Sequence, residues 1–338
     1  MMCLLRMNIA VAGLVVIGTS LSPTFAQDAP DDKREVHGIL RKIQSSAQKL
    51  NYSGTFVYQQ ASQIRTSRIT HVVDGNGELE KLEILDGQPR EYLRKNDEVT
   101  CYLPESKTLQ IEKNVTQEVF PALLTANAQS LPQSYAIKKA DVSRVAGIDC
   151  QTYLLDPRDN SRYGYRLCVE KNSGLLLRAQ TVNTKNEVIE QIAFTQLTIG
   201  DIDKQKVKSS FQNTAQWHVE NLTVQSNINS GWIVKSLPAG FRKMREMKRL
   251  IPASEAVKNS DGSPVKAHQV IQMIFSDGLA AISVFIEPDS DNRTEGSLQQ
   301  GAMTIMGKRQ AEFWLTVVGE VPVTAIRQVM NSIEFKPK

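Results

Sequence analysis

NYSGTFVYQQASQIRTSRITHVVDG, residues 51–75, decides the fold. Tyr52, Gly54, Phe56 and Tyr58 fall on one pleat face of a first strand, and Ile69, His71 and Val73 on one face of a second. A period of two, carried by aromatic and β-branched residues, predicts a pair of strands. Almost nothing in the pair could do chemistry. The expectation is a sheet that works as a surface and holds something.

The pattern continues outward from there. ELEKLEILDG, REYLRKND, EVTCYLPES and TLQIEKN read as further short strands, with turns at Asp74-Gly75-Asn76-Gly77, Asp86-Gly87 and Asn96-Asp97. Upstream, Val36, Ile39, Leu40, Ile43, Ala47 and Leu50 recur at helical spacing and predict a helix over 31–50 that covers one sheet face. FPALLTANAQSLPQSY interrupts the alternation, and Pro121 and Pro132 frame a short helix or lid. Strands resume from Ala136 to Gly200, and the whole reads as a curved antiparallel sheet wrapped around helical elements.

A polar, weakly patterned stretch follows, read as a linker over 206–229. A second unit begins at 230. Ser276-Asp277-Gly278 makes a hairpin turn, and Pro322 opens a last helix with Ala325, Ile326, Val329 and Met330 on one face. The expected fold class is α+β. A large sheet domain spans 27–205, and a smaller α+β domain spans 230–338.

The first 26 residues read as a secretory signal peptide. Arg6 precedes an apolar run from Ile9 to Ile17, and Thr24-Phe25-Ala26 places small residues at −3 and −1. That run is too short for a membrane span. The whole chain carries 41% hydrophobic and 22% charged residues, enough apolar material for real cores. Its net charge is +4 with no dominant Lys/Arg stripe, which argues against nucleic acid as a partner.

Cys101, Cys150 and Cys168 remain after export. Cys150 and Cys168 are equidistant from Asp159, so a turn centred there sets them opposite and permits a disulfide. The alternative is two small buried residues that never bond. Cys101 reads as a free, buried thiol.

No active site is legible. His37, His71, His218 and His268 share no metal-ligand spacing, and no GxSxG, P-loop or GxGxxG occurs. His71 reads as a structural histidine. Glu78, Glu80 and Glu83 lie close together, on a strand whose alternation exposes them to water. The expectation is a non-enzyme with no metal and no cofactor. Tyr52, Phe56, Tyr58, Leu82, Ile84, Leu123 and Leu124 are candidates for a pocket that admits an acyl chain. Trp232 and Phe241 read as core of the second domain or as partner contacts. Arg242, Lys243 and Arg245 could meet an acidic partner segment or a lipid phosphate.

NYSGTFVYQQ, RITHVVDGNGELEKLEILDGQPREYLRKNDEVTCYLP, FPALL, RVAGIDCQTYLLDPRDNSRYGYRLCVEKNSGLLLR, GWIVKSLPAGF, FSDGLAAISVFIEP and VVGEVPVTAIRQV, in this order, closely resemble the MucB/RseB family of periplasmic regulators of sigma-factor activity. The resemblance runs from about residue 30 to about 335. It implies a LolA/LolB-like first domain, an unclosed antiparallel barrel. It also implies an RseA- or MucA-like anti-sigma factor as partner, kept from a site-1 protease until lipopolysaccharide or another lipid displaces the regulator. The Cys150–Cys168 pairing lies outside that family pattern. A periplasmic lipid or lipoprotein carrier is the rival expectation, since it shares the fold. Edge strands of an open barrel also invite a homo-oligomer.

Overall fold

A computed structural model describes residues 30–113, 131–222, 224–226, 228–251, 254–258, 264–265, 268–289 and 293–336. The expected signal peptide, residues 120–130 of the expected helix or lid, and the pocket candidates Leu123 and Leu124 lie outside the described residues.

Helix α1 (Pro30–Lys49) precedes strands β1 (Tyr52–Gln60), β2 (Gln63–Asp74), β3 (Gly77–Ile84), β4 (Arg90–Lys95), β5 (Glu98–Leu103) and β6 (Thr108–Glu112). After the short α2 (Leu131–Ser134) come β7 (Tyr135–Val145), β8 (Ile148–Pro157), β9 (Gly164–Glu170), β10 (Leu176–Val182), β11 (Val188–Ile199) and β12 (His218–Leu222). These twelve strands form one sheet in the order β12-β6-β5-β4-β3-β2-β1-β11-β10-β9-β8-β7. β12 and β7 are its two edges, so the sheet does not close.

Helix α1 lies on one face of this sheet. Its Ile39, Leu40 and Ile43 pack with Tyr153, Leu155, Tyr165 and Leu167. Its Ala47 joins Tyr52, Phe56, Ile69 and Phe194. Each such aliphatic side chain contributes roughly 2 kcal/mol by burial. Gly54 permits the close approach of β1 to β11. A Cβ there would stand 2.5 Å from the Gln196 carbonyl oxygen and 2.8 Å from the Phe194 ring.

The second domain holds β13 (Val224–Ser226), β14 (Trp232–Val234), β15 (Arg242–Ile251), β16 (Ser254–Lys258), β17 (Pro264–Val265) and β18 (His268–Ser276). It continues through β19 (Ala281–Pro288), β20 (Gly296–Gln300), β21 (Met303–Gln310), β22 (Phe313–Gly319), α3 (Val323–Met330) and β23 (Ile333–Phe335). Seven strands pair in the order β13-β15-β18-β19-β22-β21-β20. Ala325, Ile326, Val329 and Met330 of α3 are buried against that sheet, in a core with Trp232, Phe241 and Phe275.

Three features depart from the expectations. The architecture is mostly sheet. Among the described residues only α1 and α3 exceed one helical turn, and α1 covers one sheet face as its spacing predicts. The stretch taken as a linker is a docked strap. It carries two 3-10 turns (Lys204–Val207 and Thr214–Gln216), then β12 running parallel to β6, then β13 against β15. Edge strands satisfy themselves through backbone hydrogen bonds and carry polar side chains, so their sequence resembles a tether. Finally, Cys150 and Cys168 form a disulfide with Cα atoms 5.4 Å apart, but they are diagonal neighbours. Cys150 pairs with Glu170 and Thr152 with Cys168, so the turn centres one residue beyond Asp159.

Candidate functional site

The two domains meet at a seam built around Arg162. This residue sits in the loop between β8 and β9, and its side chain is fully buried. An arginine can be buried only if its donors are met. Here Nε and Nη2 donate to Asp159 at 3.1 and 3.0 Å, and Nη1 donates to Asp277 of the second domain. Nη2 also donates to the Ala239 carbonyl oxygen. The guanidinium carbon stands 5.6 Å from the Tyr135 ring centre and 5.4 Å from that of Phe241, one ring from each domain.

Asp277 occupies the β18–β19 turn, where Leu279 and Ala280 donate backbone N–H groups to Oδ1 at 3.0 and 2.9 Å. Tyr135 donates its hydroxyl to Oδ2 at 3.4 Å. Burial pushes the Asp277 carboxyl upward, while the Leu279 amide and Arg162 pull it back. Burial alone would weaken the Arg162 charge, but Asp159 and Asp277 outweigh it.

Other contacts flank this centre. Glu112 on β6 and Arg249 on β15 form a two-pronged ion pair, 3.1 Å on each prong. Gln299 donates to the Tyr163 hydroxyl at 3.0 Å, and Thr324 to the Asn160 carbonyl at 3.3 Å. Glu190 on β11 takes hydrogen bonds from Tyr58, Gln60 and the Ala302 backbone. Burial first, and then the nearby Glu320 carboxyl of the second domain, push Glu190 up to about 7. Beside it lies a cavity of about 420 Å³ lined by residues of both domains, among them Ile189, Glu190, Gln299 and Gly301.

A larger cavity, about 540 Å³, opens on the sheet face opposite α1, beneath the strap. Ser53, Arg68, Lys81, Glu83, Lys206 and Ser210 contribute to its lining, which is mainly polar. The strap is pinned there. Lys81 donates to Ser210 Oγ at 2.8 Å and pairs with Glu83 and Glu91 at 3.2 Å each. Ser209 Oγ and the Ser210 amide both donate to Glu91 at 3.0 Å.

The predicted pocket residues divide. Tyr52 and Phe56 are packed into the core beneath α1, with Leu82 against them. Ile84 is half-buried on that same face. Tyr58 is half-buried at the seam, next to Glu190. Trp232 and Phe241 belong to the second domain's core, and Phe241 also faces Arg162. Arg242 and Lys243 are exposed, Lys243 bonded to Glu246 at 2.8 Å, while Arg245 donates to Ser226 Oγ at 2.5 Å.

One expectation is overturned. Glu78 is buried, and the Glu80 carboxyl is raised by burial, because both lie on the core-facing side of β3 next to His71. The strand alternates as predicted, but its acidic side faces inward at that end of the sheet.

Arg162 and Asp277 were not singled out in the sequence. Asp277 read as a hairpin turn and Arg162 as the first residue of the strand RYGYRLCVEK. Their partnership spans 115 residues and has no local signal.

Residues 35–211 match the MucB/RseB N-terminal domain, and residues 226–334 the MucB/RseB C-terminal domain. The sigma factor AlgU regulatory protein MucB of Pseudomonas aeruginosa is 28% identical over 333 residues, covering 95% of this chain and 96% of that protein. The sigma-E factor regulatory protein RseB of Haemophilus influenzae is 23% identical over 326 residues, covering 94% and 96%. A solved complex of Pseudomonas aeruginosa MucA and MucB superposes with a TM-score of 0.68 at 25% identity, over 90% of this chain and all of that one. A structure of MucB with MucA(peri) gives 0.67 at 26% identity, again over 90% and all of it. Both domains and their order are thus accounted for, and the chain belongs to the MucB/RseB family of sigma-factor regulators, which are not enzymes.

Proposed function

We propose that this protein is a periplasmic regulator that binds the periplasmic region of a MucA- or RseA-like anti-sigma factor. Bound there, it shields the anti-sigma factor from the protease that makes the first cut. It lets go when lipopolysaccharide or another acyl-chain ligand binds. The observation that carries this reading is the match of both domains, in order, to MucB solved with MucA(peri).

The seam gives the reading a physical form. A ligand releases a partner only if it favours one arrangement of the regulator over another. The buried Arg162–Asp277 pair and the Glu190–Glu320 neighbourhood hold one such arrangement of the two domains. Arg242, Lys243 and Arg245 remain candidate partner contacts, and Leu123 and Leu124 candidate acyl contacts.

The test is protease protection. The mature protein is mixed with the periplasmic segment of the cognate anti-sigma factor and the activated site-1 protease, and lipopolysaccharide is then titrated. Protection that lipopolysaccharide reverses is the expected result. Equal cleavage with and without the protein would sink the proposal.

A further inference from the structure

At the end of the first sheet nearest the α1–β1 corner, four side chains from neighbouring strands stand in one row. Tyr52 on β1 pairs with His71 on β2, His71 with Glu80 on β3, and Glu80 with Arg94 on β4. Glu78 lies two residues before Glu80 on β3, on the same face. The row therefore brings an imidazole, two carboxylates and a phenol together on the inner face of the sheet.

The imidazole is held as a metal-binding histidine is held. His71 Nδ1 stands 2.7 Å from the Leu50 carbonyl oxygen, which can only accept. Nδ1 thus carries a proton, and Nε2 is turned toward the acids, 3.2 Å from Glu78 Oε1. A backbone carbonyl behind one ring nitrogen, with the other aimed inward, fixes both tautomer and ring direction. Stacking with Tyr52 holds the ring as well, with centroids 5.1 Å apart and planes 24° apart.

We propose that His71, Glu78 and Glu80, with the Tyr52 hydroxyl as a fourth contact, form a buried site for a divalent transition metal of the zinc class. One ligand atom from each of His71, Glu78 and Glu80 can be chosen so that all lie within 4.8 Å of one another. Ligands about 2.1 Å from a tetrahedral zinc stand roughly 3.4 Å apart, so closure needs shifts of about an ångström. The donor set is nitrogen and oxygen without sulfur. Imidazole favours zinc over magnesium or calcium, and the absence of thiolate disfavours copper(I).

Tyr52 supplies the independent observation. It is fully buried, and its hydroxyl has no hydrogen-bond partner. Its ring stacks on His71, and the strand pairing sets it in the same row as Glu80. The His71–Glu78 bond accounts for those two residues but leaves a buried phenol without purpose. A metal between the carboxylates gives the phenol oxygen something to contact. Arg94 stands across from Glu80 on β4 and is the cation a metal would compete with. A bound ion would tie β1, β2 and β3 to the Leu50 corner and so brace the start of the sheet.

The test uses the mature protein, stripped with a chelator and dialysed. Zinc is titrated in by calorimetry, and metal content is measured after gel filtration. Cobalt(II) serves as the spectroscopic probe. The expected result is one zinc per chain, a raised melting temperature, and visible cobalt bands of a nitrogen–oxygen site. Glu80→Gln should weaken binding tenfold or more and Tyr52→Phe several-fold. Glu83→Gln, on the opposite face of β3, should leave it unchanged. Absence of stoichiometric zinc in the wild type overturns the proposal. So does unchanged affinity in Glu80→Gln, which would place the ion at an exposed histidine such as His218. Glu80→Gln keeps the side chain's shape, so the decision does not depend on a His71 variant folding.

Discussion

Arg162 Nη1 donates to Asp277 Oδ2 across the domain seam, and neither side chain touches solvent. The bond joins a loop of the first sheet to a hairpin turn of the second. Removing Arg162 leaves the Asp277 carboxylate buried without a cation, which typically costs about 3–5 kcal/mol, whereas removing Asp277 leaves Arg162 its Asp159 partner. Arg162→Ala should therefore loosen the seam by about 3 kcal/mol or more, and Asp277→Ala by less. Urea denaturation should split into two transitions, and small-angle scattering should report a larger radius of gyration. A double change of Arg162 and Asp277 to apolar residues should lose much less. Equal losses in the single and double variants would refute this account.

The Glu112–Arg249 pair is partly exposed, so it should contribute far less. Glu112→Gln should cost about 1 kcal/mol or under in the same assay, and the loss should shrink in high salt.

Stability should fall as pH rises toward neutrality. Glu190 is pushed up to about 7 by burial and by Glu320, so the folded state prefers it protonated. A raised carboxyl stabilises fully below its ordinary range, and the benefit is lost as pH rises through the folded value. Stability should therefore fall by on the order of 2 kcal/mol between about pH 5 and pH 7, readable as a lowered melting temperature. Tyr58, Gln60 and the Ala302 amide also face this group, and none of them carries charge at those values. Glu190→Gln should flatten the profile. An unaltered slope in that variant would assign the effect elsewhere.

Reduction should destabilise the first domain. The Cys150–Cys168 bridge closes a loop with a sequence separation of 18, for which about 3 kcal/mol is typical. Dithiothreitol should lower the urea midpoint accordingly. Cys101 should react slowly with a thiol reagent at neutral pH, because burial raises its thiol.

Gly54→Ala should be among the most damaging single methyl additions. The new carbon would meet a backbone oxygen and an aromatic ring, both held by the β1–β11 pairing. Overpacking of this kind costs about 1–3 kcal/mol, readable as a lowered melting temperature.

Much of this fold is legible along the chain. The alternation at 52–58 and the spacing of Ile39, Leu40 and Ile43 are local patterns, and the strands and α1 follow from them. The α3 face of Ala325, Ile326, Val329 and Met330 is equally local. The seam is not, because Arg162 reads as a strand start and Asp277 as a turn until the fold sets them together. The strap misleads because β12 and β13 rely on backbone bonds that polar side chains do not betray. The inward turn of Glu78 and Glu80 also hides. Alternation gives the two faces of β3 but does not say which one α1 covers.

Leu222 closes β12 in the first sheet, and Val224 opens β13 in the second. One residue separates them, which gives the chain at most about 7 Å of slack. The two halves cannot drift apart like beads on a string. They can swivel about that crossing, or they can separate further by unzipping His218–Leu222 from Thr108–Glu112. Any signal that parts them must act as torque on a short pivot, and the parallel ladder beside it is the ratchet that resists.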